Sequence, residues 1–480
     1  MAGTYYAPEA PSLVDLKTRM DNVNKRVEKK DYLIHVVTHM VGGSSYSGKV
    51  EEEAPIKGAS VRGHLRFWWR ATRGTKYTTA KELFAQEKLI FGSSSEPAPV
   101  KIWVDSKKKA SSPTAQMIVN SKGRLVSALC NELNSLSYVA FPFQDKKENN
   151  TYFPMQTGFT FTLNIQYEQQ TKEGALSVEQ LKEEMCAALW AWVNFGGIGA
   201  RTRRGFGSLY CEIFSPNSKE ASDNKAFIDW FYGKLRNNGI LSNVTREWTT
   251  LGGIMVQRGY TNHLEAWKAG VATYQYFRRR ATLRGGKPQG RSYWPEADAI
   301  RGMTKMSIKN HSEPFPPKQA QLAFPRSQFG MPIIFHFKDN KSNNHHGRDP
   351  YDSQLTPNNR DRLASPLVVK TIAVSKEQGY SAFIRLNQPQ IREVKLEIIE
   401  KSGNEASIRI IRDRLRGRKI YHEAIYNNQK YDNNPLAHPD TNKVNSNAIE
   451  AFLVSKGVKE WQDAIGTPPS HKQTNKHPRQ

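Results

Sequence analysis

Between a stretch of helical periodicity, Val178 to Val193, and a strand-like one, Ser208 to Phe214, the chain reads NFGGIGARTRRGFGSL from Asn194 to Leu209. Gly196, Gly197, Gly199, Gly205 and Gly207 interleave with Arg201, Arg203 and Arg204, so no regular element can run through it. The segment after the helix must therefore be a loop, and its residues suit an anion. Glycine lets backbone N–H groups approach a ligand closely, while guanidinium forks supply charge and paired donors. A phosphodiester chain is the expected ligand. The spacing lacks the Gly-Lys-Ser/Thr of a triphosphate-binding loop, and a dinucleotide fingerprint would follow a strand rather than a helix. No nucleotide cofactor is expected. The plain alternative is a glycine-rich turn with solvated arginines.

Charge supports the anion reading. Seventy Lys and Arg against 45 Asp and Glu leave a formal charge of +25, which makes a polyanion the expected partner. Basic membrane-surface proteins share that charge, but the sequence has no run of about 18 apolar residues. The N-terminal MAGTYYAPEAPSLVDLK also lacks the order of a signal peptide, so a soluble, cytoplasmic chain is expected. Cys130, Cys186 and Cys211 form no CxxC pair and read as buried, reduced thiols. The close histidine sets are His35/His39 and His345/His346. Catalytic zinc normally takes three protein ligands, so no metal is expected.

Periodicity orders the first half as a strand at Tyr32 to Met40, a helix at Val61 to Thr72, strands at Val100 to Val104 and Gly158 to Tyr167, a helix at Val178 to Val193 opened by a Ser177/Gln180 capping box, and a strand at Ser208 to Phe214. That order is βαββαβ, the split βαβ or ferredoxin-like arrangement that RNA-recognition domains also use. It puts the glycine loop between the second helix and fourth strand. The polar segment at about 105–150 reads as a surface insertion.

The second half reads as strands at Gly253 to Gln257, Met331 to Phe337, Leu367 to Ser375, Tyr380 to Leu386 and Val394 to Glu400, with helices at His263 to Leu283 and Ala448 to Trp461. The expectation is an α+β protein of two ferredoxin-like domains, 1–240 and 241–465, with a disordered tail at 466–480. Lys287 to Phe329 and Asp339 to Arg362 read as long partner-contacting loops. No internal sequence repeat is evident.

Ser60 to Arg73, SVRGHLRFWWRATR, carries a second basic feature. At about 100° per residue, Arg62, Arg66, Arg70 and Arg73 share an arc of roughly 80°, beside an apolar face of Val61, Leu65, Trp68 and Thr72. Trp69 lies at the seam, placed either to stack on a base or to bury. No Asp or Glu occurs between Ala54 and Lys81, and like charges at i,i+4 repel, so a phosphate chain would relieve the stripe. Arg278, Arg279 and Arg284, with Lys287 and Arg291, extend the basic character, and Tyr293-Trp294 is a candidate stacking platform. A later run from Arg409 to Lys419 reads as the polar face of an ordinary element. For catalysis the residues offer only His35, His39 and His64 as general bases, and each reads more simply as structural. Glu51-Glu52-Glu53 and Asp349/Asp352 lack the clustering of a metal-dependent nuclease.

With these motifs in view, SVRGHLRFWWRAT, GGIGARTRRGFGSL, FGMPIIFHF and RLASPLVVK resemble the RAMP superfamily, and within it the first-numbered Cmr subunits of type III-B CRISPR effector complexes. The resemblance spans about Leu33 to Lys370. It implies two ferredoxin-like domains in a multi-subunit ribonucleoprotein, whose guide RNA supplies specificity by base pairing. It further implies a non-catalytic RNA-binding subunit that contacts the 3′ part of the CRISPR RNA and helps capture target RNA in antiviral defence. CRISPR RNA, target RNA and other RAMP/Cmr subunits are then the partners, and cleavage belongs to other subunits. Arg62, Arg66 and Arg70 match the family's basic helix, and Gly196, Gly197, Gly199, Arg201, Arg203, Arg204, Gly205 and Gly207 its glycine loop. The departures are His39, where the family often has proline, and His64, where a small residue is common. They keep open an alternative, a metal-independent RAMP endoribonuclease processing CRISPR transcripts through His35, His39 or His64. A third reading is an assembly subunit whose basic surface meets acidic proteins.

Overall fold

The computed structural model describes residues 12–24, 27–42, 54–105, 117–119, 125–127, 136–140, 155–156, 158–242, 244–257, 262–284, 287–311, 323–337, 348–358, 360–389, 393–399, 408–409, 420–421, 434–441, 443–445, 447–455 and 458. The chain is a mixed α+β structure with several small antiparallel sheets. After a helix α1 (Leu13–Asn24), the first half runs β1 (Val27–Val36), α2 (Gly58–Ala71), α3 (Ala80–Phe91), β2 (Val100–Asp105), β3 (Thr160–Glu168), α4 (Val178–Phe195) and β4 (Leu209–Tyr210). The sheet order is β2-β3-β1-β4, antiparallel throughout. Alternation does the placing: Phe161, Leu163, Ile165 and Tyr167 on β3 point to the core and intervening polar residues point away. The capping box at Ser177 and Gln180 starts α4 where the sequence put it.

Two boundaries differ from the sequence reading for the same reason. The first strand ends at Val36 rather than Met40, because the next residues turn to grip the glycine loop: the N–H of Val37 donates to Ser208 O at 2.8 Å, and that of Gly207 to His39 O at 2.8 Å. The fourth strand stops at Tyr210, since Cys211 O accepts from the N–H groups of Phe214 and Ser215 in a turn.

After α5 (Asn224–Asn237), β5 (Thr250–Gln257) leads into α6 (His263–Arg278), a hairpin of β6 (Ala281–Arg284) and β7 (Lys287–Ser292), and α7 (Glu296–Thr304). Next come β8 (Ile333–Phe335), β9 (Ser353–Pro357), β10 (Leu367–Ala373), β11 (Gly379–Asn387), β12 (Glu393–Ile398), β13 (Ile420–Tyr421) and α8 (Ala448–Leu453). Strands β10, β11 and β5 form one sheet in that order, with α6 packed on it. Both halves thus hold a β-α-β-β unit in which the last strand lies between the other two, a structural repeat that no sequence repeat announces. Leu251, Val368, Ile372 and Ile384 of the second sheet join the buried cluster of α2 and α4, so one core is continuous between the halves.

Three expectations are corrected here. The helix read to Leu283 ends at Arg278 and gives way to β6, and the segments read as loops hold β7, α7 and β9. Strands β8, β9, β12 and β13 form a third sheet over its own core of Ile300, Met303, Phe335, Leu355 and Leu396. The insertion does not lie wholly at the surface, since Leu136, Val139 and Ala140 bury beside Trp267 and Tyr274. The helix read to Trp461 ends at Leu453, with a turn at Val454 and Ser455, and the tail from 466 lies outside the described residues, as do Cys130, His345 and His346. Cys186 is a half-buried free thiol and Cys211 a buried one.

Candidate nucleic-acid interface

Helix α2 begins against β2, where a Cβ on Gly58 would lie 3.0 Å from Ile102 O. Val61, Leu65, Trp68 and Trp69 bury one side. The arginines leave the other side, and the acidic partners that the local sequence lacks come from elsewhere. Glu87 on α3, 3% exposed, accepts from Arg66 Nε at 2.7 Å and from Arg70 at 3.3 Å. Glu184 on α4 accepts from Arg73 at 2.5 Å and from Lys76 at 3.2 Å. Arg62 donates to Phe91 O. Repulsion within the stripe is therefore offset inside the protein, a correction to the reading that left it to a phosphate. Arg66 and Arg70 keep about a third of their side chains exposed, at 33% and 36%, and can take a second, outer partner. Arg73, at 17%, is committed inward and also donates to Asn238 O at 2.8 Å. Trp69 is buried and donates through Nε1 to Glu184 at 2.7 Å, so it is no stacking surface.

The glycine loop is held tightly to the protein. Most of its glycines answer to close approach by the chain's own atoms. A Cβ would lie 2.5 Å from Trp68 Nε1 at Gly196, 2.6 Å from Val41 O at Gly199 and 2.3 Å from Trp267 Nε1 at Gly205. At Gly197 it would lie 2.8 Å from Gly207 O, and at Gly207 1.9 Å from Ile198 O. The N–H groups of Gly196, Ile198, Ala200, Arg204, Gly205, Gly207 and Ser208 donate to protein oxygens, so most of the loop's backbone donors are not free for a phosphate. Arg201 sits in the left-handed region at φ 57° and points to solvent.

The loop also bridges the two halves. Arg203 donates to Ser365 O, and Arg204 to Leu367 O at 2.9 Å and Phe329 O at 3.2 Å. Trp267 Nε1 donates to Arg204 O at 2.7 Å. From below, the buried Lys370 of β10 donates to Val193 O and Gly196 O, satisfying carbonyls at the end of α4. Burial pushes that amine well below its usual range. Among the described residues, Arg201, Arg203 and Arg204 have no carboxylate partner. Burial first, and then the charge of Arg204, bring Arg203 down to about 10. The guanidinium stays charged at neutral pH, and an anion would relieve it.

Arg203 lies over the ring of Phe67 at 5.5 Å, and both line a groove of about 520 Å³ with Arg70. The second half completes it with Trp248, Arg360, Arg362 and Gln388. The arginine helix and glycine loop thus meet at one groove. Arg278 stands apart from it, donating to the Tyr274 hydroxyl at 3.1 Å, while Arg279 is exposed at the end of α6. Arg284 closes β6 and Lys287 opens β7; their side chains, and most of the run from Arg409 to Lys419, lie outside the described residues. Trp294 is fully buried, which rules it out as a stacking platform.

The three histidines face three different rings. His35 lies 5.8 Å from Tyr210, His39 6.3 Å from Trp267, and His64 stacks on Trp192 at 6.4 Å. Burial lowers His39 to about 4 and holds His64 below its ordinary value; burial and then the charge of Lys376 do the same for His35. Among the described residues no three His, Cys, Asp or Glu are grouped to hold a metal, and no helix is long and apolar enough to cross a membrane. The sequence reading missed Lys370, Trp248, Arg360 and Arg362. Lys370 alone had a visible signal, a charge inside the apolar run LVVKTIA.

Residues 33–210 match the RAMP superfamily. Two Pyrococcus furiosus proteins are similar. The CRISPR system Cmr subunit Cmr1-1 is 30% identical over 160 residues, 33% of this chain and 41% of the relative's length. Cmr subunit Cmr1-2 is 28% identical over 169 residues, covering 32% of this chain and 82% of the relative. The match thus spans less than half of Cmr1-1. The crystal structure of apo Cmr1 from P. furiosus aligns with TM-score 0.45 and 16% identity, over 81% of this chain and 97% of that one. A type III-B Cmr-beta complex bound to cognate target RNA contains a chain that aligns with TM-score 0.42 and 13% identity, over 81% and 99%.

Proposed function

We propose that this chain is a Cmr1-type, RNA-binding subunit of a type III-B CRISPR ribonucleoprotein, a reading supported by the match of residues 33–210 to the RAMP superfamily. In this reading it contacts the 3′ part of the CRISPR RNA and helps capture target RNA, with other Cmr subunits as partners and no chemistry of its own. Its two β-α-β-β units are the cores of two ferredoxin-like domains. The observation that carries the reading is the glycine loop, which brings Arg203 to one groove with Arg70 of α2 and, among the described residues, leaves Arg201, Arg203 and Arg204 without a carboxylate partner. The endoribonuclease alternative draws no support from the histidines, each of which faces a different ring.

Arg203 and Arg204 also tie the halves together, so alanine there would mix loss of charge with loss of structure. Arg201 and Arg279 are exposed and serve as cleaner probes. The R201E/R279E variant is expected to melt like the parent and to bind single-stranded RNA more weakly at every sequence. Its log–log salt slope is expected to be shallower by about 1.4, from about 0.7 per phosphate. Unchanged affinity and slope would sink these two contacts.

A further inference from the structure

The groove between the halves was assembled by residues that neither the arginine helix nor the glycine loop accounts for, and its chemistry is specific. Four guanidiniums, Arg70, Arg203, Arg360 and Arg362, face one carboxylate, Glu247, so the lining carries a net of three positive charges (4 − 1). Two aromatic rings stand among them. Phe67 is held under Arg203 at 5.5 Å, and Trp248 is half-buried with its indole Nε1 finding no acceptor among the described residues. A buried indole N–H left without a partner needs an explanation. Arg70 and Arg203 are fixed in place by Glu87 and Ser365 O, whereas Arg360 and Arg362 are exposed. Anchored cations, further exposed cations and two flat rings in one groove suit a strand whose backbone is charged and whose base is unstacked. The volume, about 520 Å³, lies within the range of small-ligand sites.

We propose that this groove is a subsite for an unpaired nucleotide of single-stranded RNA, with the base stacked on Trp248 and the flanking phosphates held by Arg360 and Arg362. The assignment rests on the RNA-binding reading above and adds second-half residues to it. Duplex RNA does not fit the same chemistry, because its bases are already stacked on each other.

The test is fluorescence anisotropy of the full chain with labelled oligouridylate and oligoadenylate across a potassium chloride series. W248A is expected to bind about tenfold more weakly with an unchanged salt slope, as loss of stacking requires, and W248F to stay within about twofold. R360A/R362A is expected to keep its melting temperature and lose about 1.4 from the slope. Should W248A fail to fold, W248F and the arginine pair decide. Wild-type affinity and slope in W248A and R360A/R362A, with binding still weakened in R201E/R279E, would place the RNA outside the groove and overturn this subsite alone. Absence of salt-dependent RNA binding by the parent chain would overturn the RNA reading and the subsite together.

Discussion

Gly207→Ala is expected to destabilise the chain by about 3 kcal/mol or more and to unseat the glycine loop. Two penalties fall on one methyl group. Gly207 has φ 59°, a left-handed conformation that costs an L side chain, and its Cβ would lie 1.9 Å from Ile198 O. That oxygen cannot move away cheaply, because Ile198 N donates back to Gly207 O at 2.9 Å and fixes the two segments against each other. Gly233 in α5 is the control: nothing lies within 4 Å of its added Cβ, so alanine there is expected to stabilise by about 0.5–1 kcal/mol. Urea unfolding of both variants checks the contrast. A loss below about 1 kcal/mol at Gly207 would mean that the loop can relax around the methyl group.

Glu184→Ala is expected to cost about 3–5 kcal/mol, the usual penalty for breaking a buried ion pair from one side. Glu184 is 7% exposed and takes Arg73, Lys76 and the Trp69 indole on its two oxygens. Its removal leaves Arg73 half-buried with Asn238 O as its remaining partner. Glu184→Gln is expected to lose less, since it keeps the Trp69 bond and removes only charge. Burial alone would raise this carboxyl, but the Arg73 and Lys76 pairing outweighs it and holds the group below its ordinary value. With a folded pKa depressed in this way, its contribution is present above the unfolded value and is lost as pH falls through the folded one. Thermal melts across the acid range should therefore show a shallower decline in E184Q than in the parent.

The legible parts of this fold were those where local chemistry and tertiary context agree. Ser177 and Gln180 announced α4, and alternation on β3 announced a half-buried strand. The glycine loop was visible as a loop, but its glycines were read as making room for a ligand. They make room for Trp68, Val41, Trp267 and Ile198 instead, contacts that depend on residues far along the chain. The arginine stripe misled in a related way. Glu87 lies on the next helix and Glu184 about a hundred residues on, so no local pattern could pair them. Two strands of the third sheet, β8 and β12, were legible, whereas β9 and β13 were hidden because they are short and lie in Pro- and Asn-rich or basic sequence. The groove was hidden because Phe67, Arg203, Trp248 and Arg360 come from four separate segments. Of the arginines named from the sequence, Arg70 of α2 and Arg203 of the loop line one groove, and Arg66, Arg70 and Arg201 retain exposed surface.

The central claim is that this chain works as one RNA-holding member of a larger complex, and the most direct measurement is a tagged purification from its native cell at moderate salt. The bound RNA would be sequenced and the co-purifying proteins identified by mass spectrometry. The account predicts guide RNAs of uniform length together with several RAMP-type partners. Recovery of the chain with no RNA, or with precursor transcripts cut at one fixed position and no partners, would contradict it.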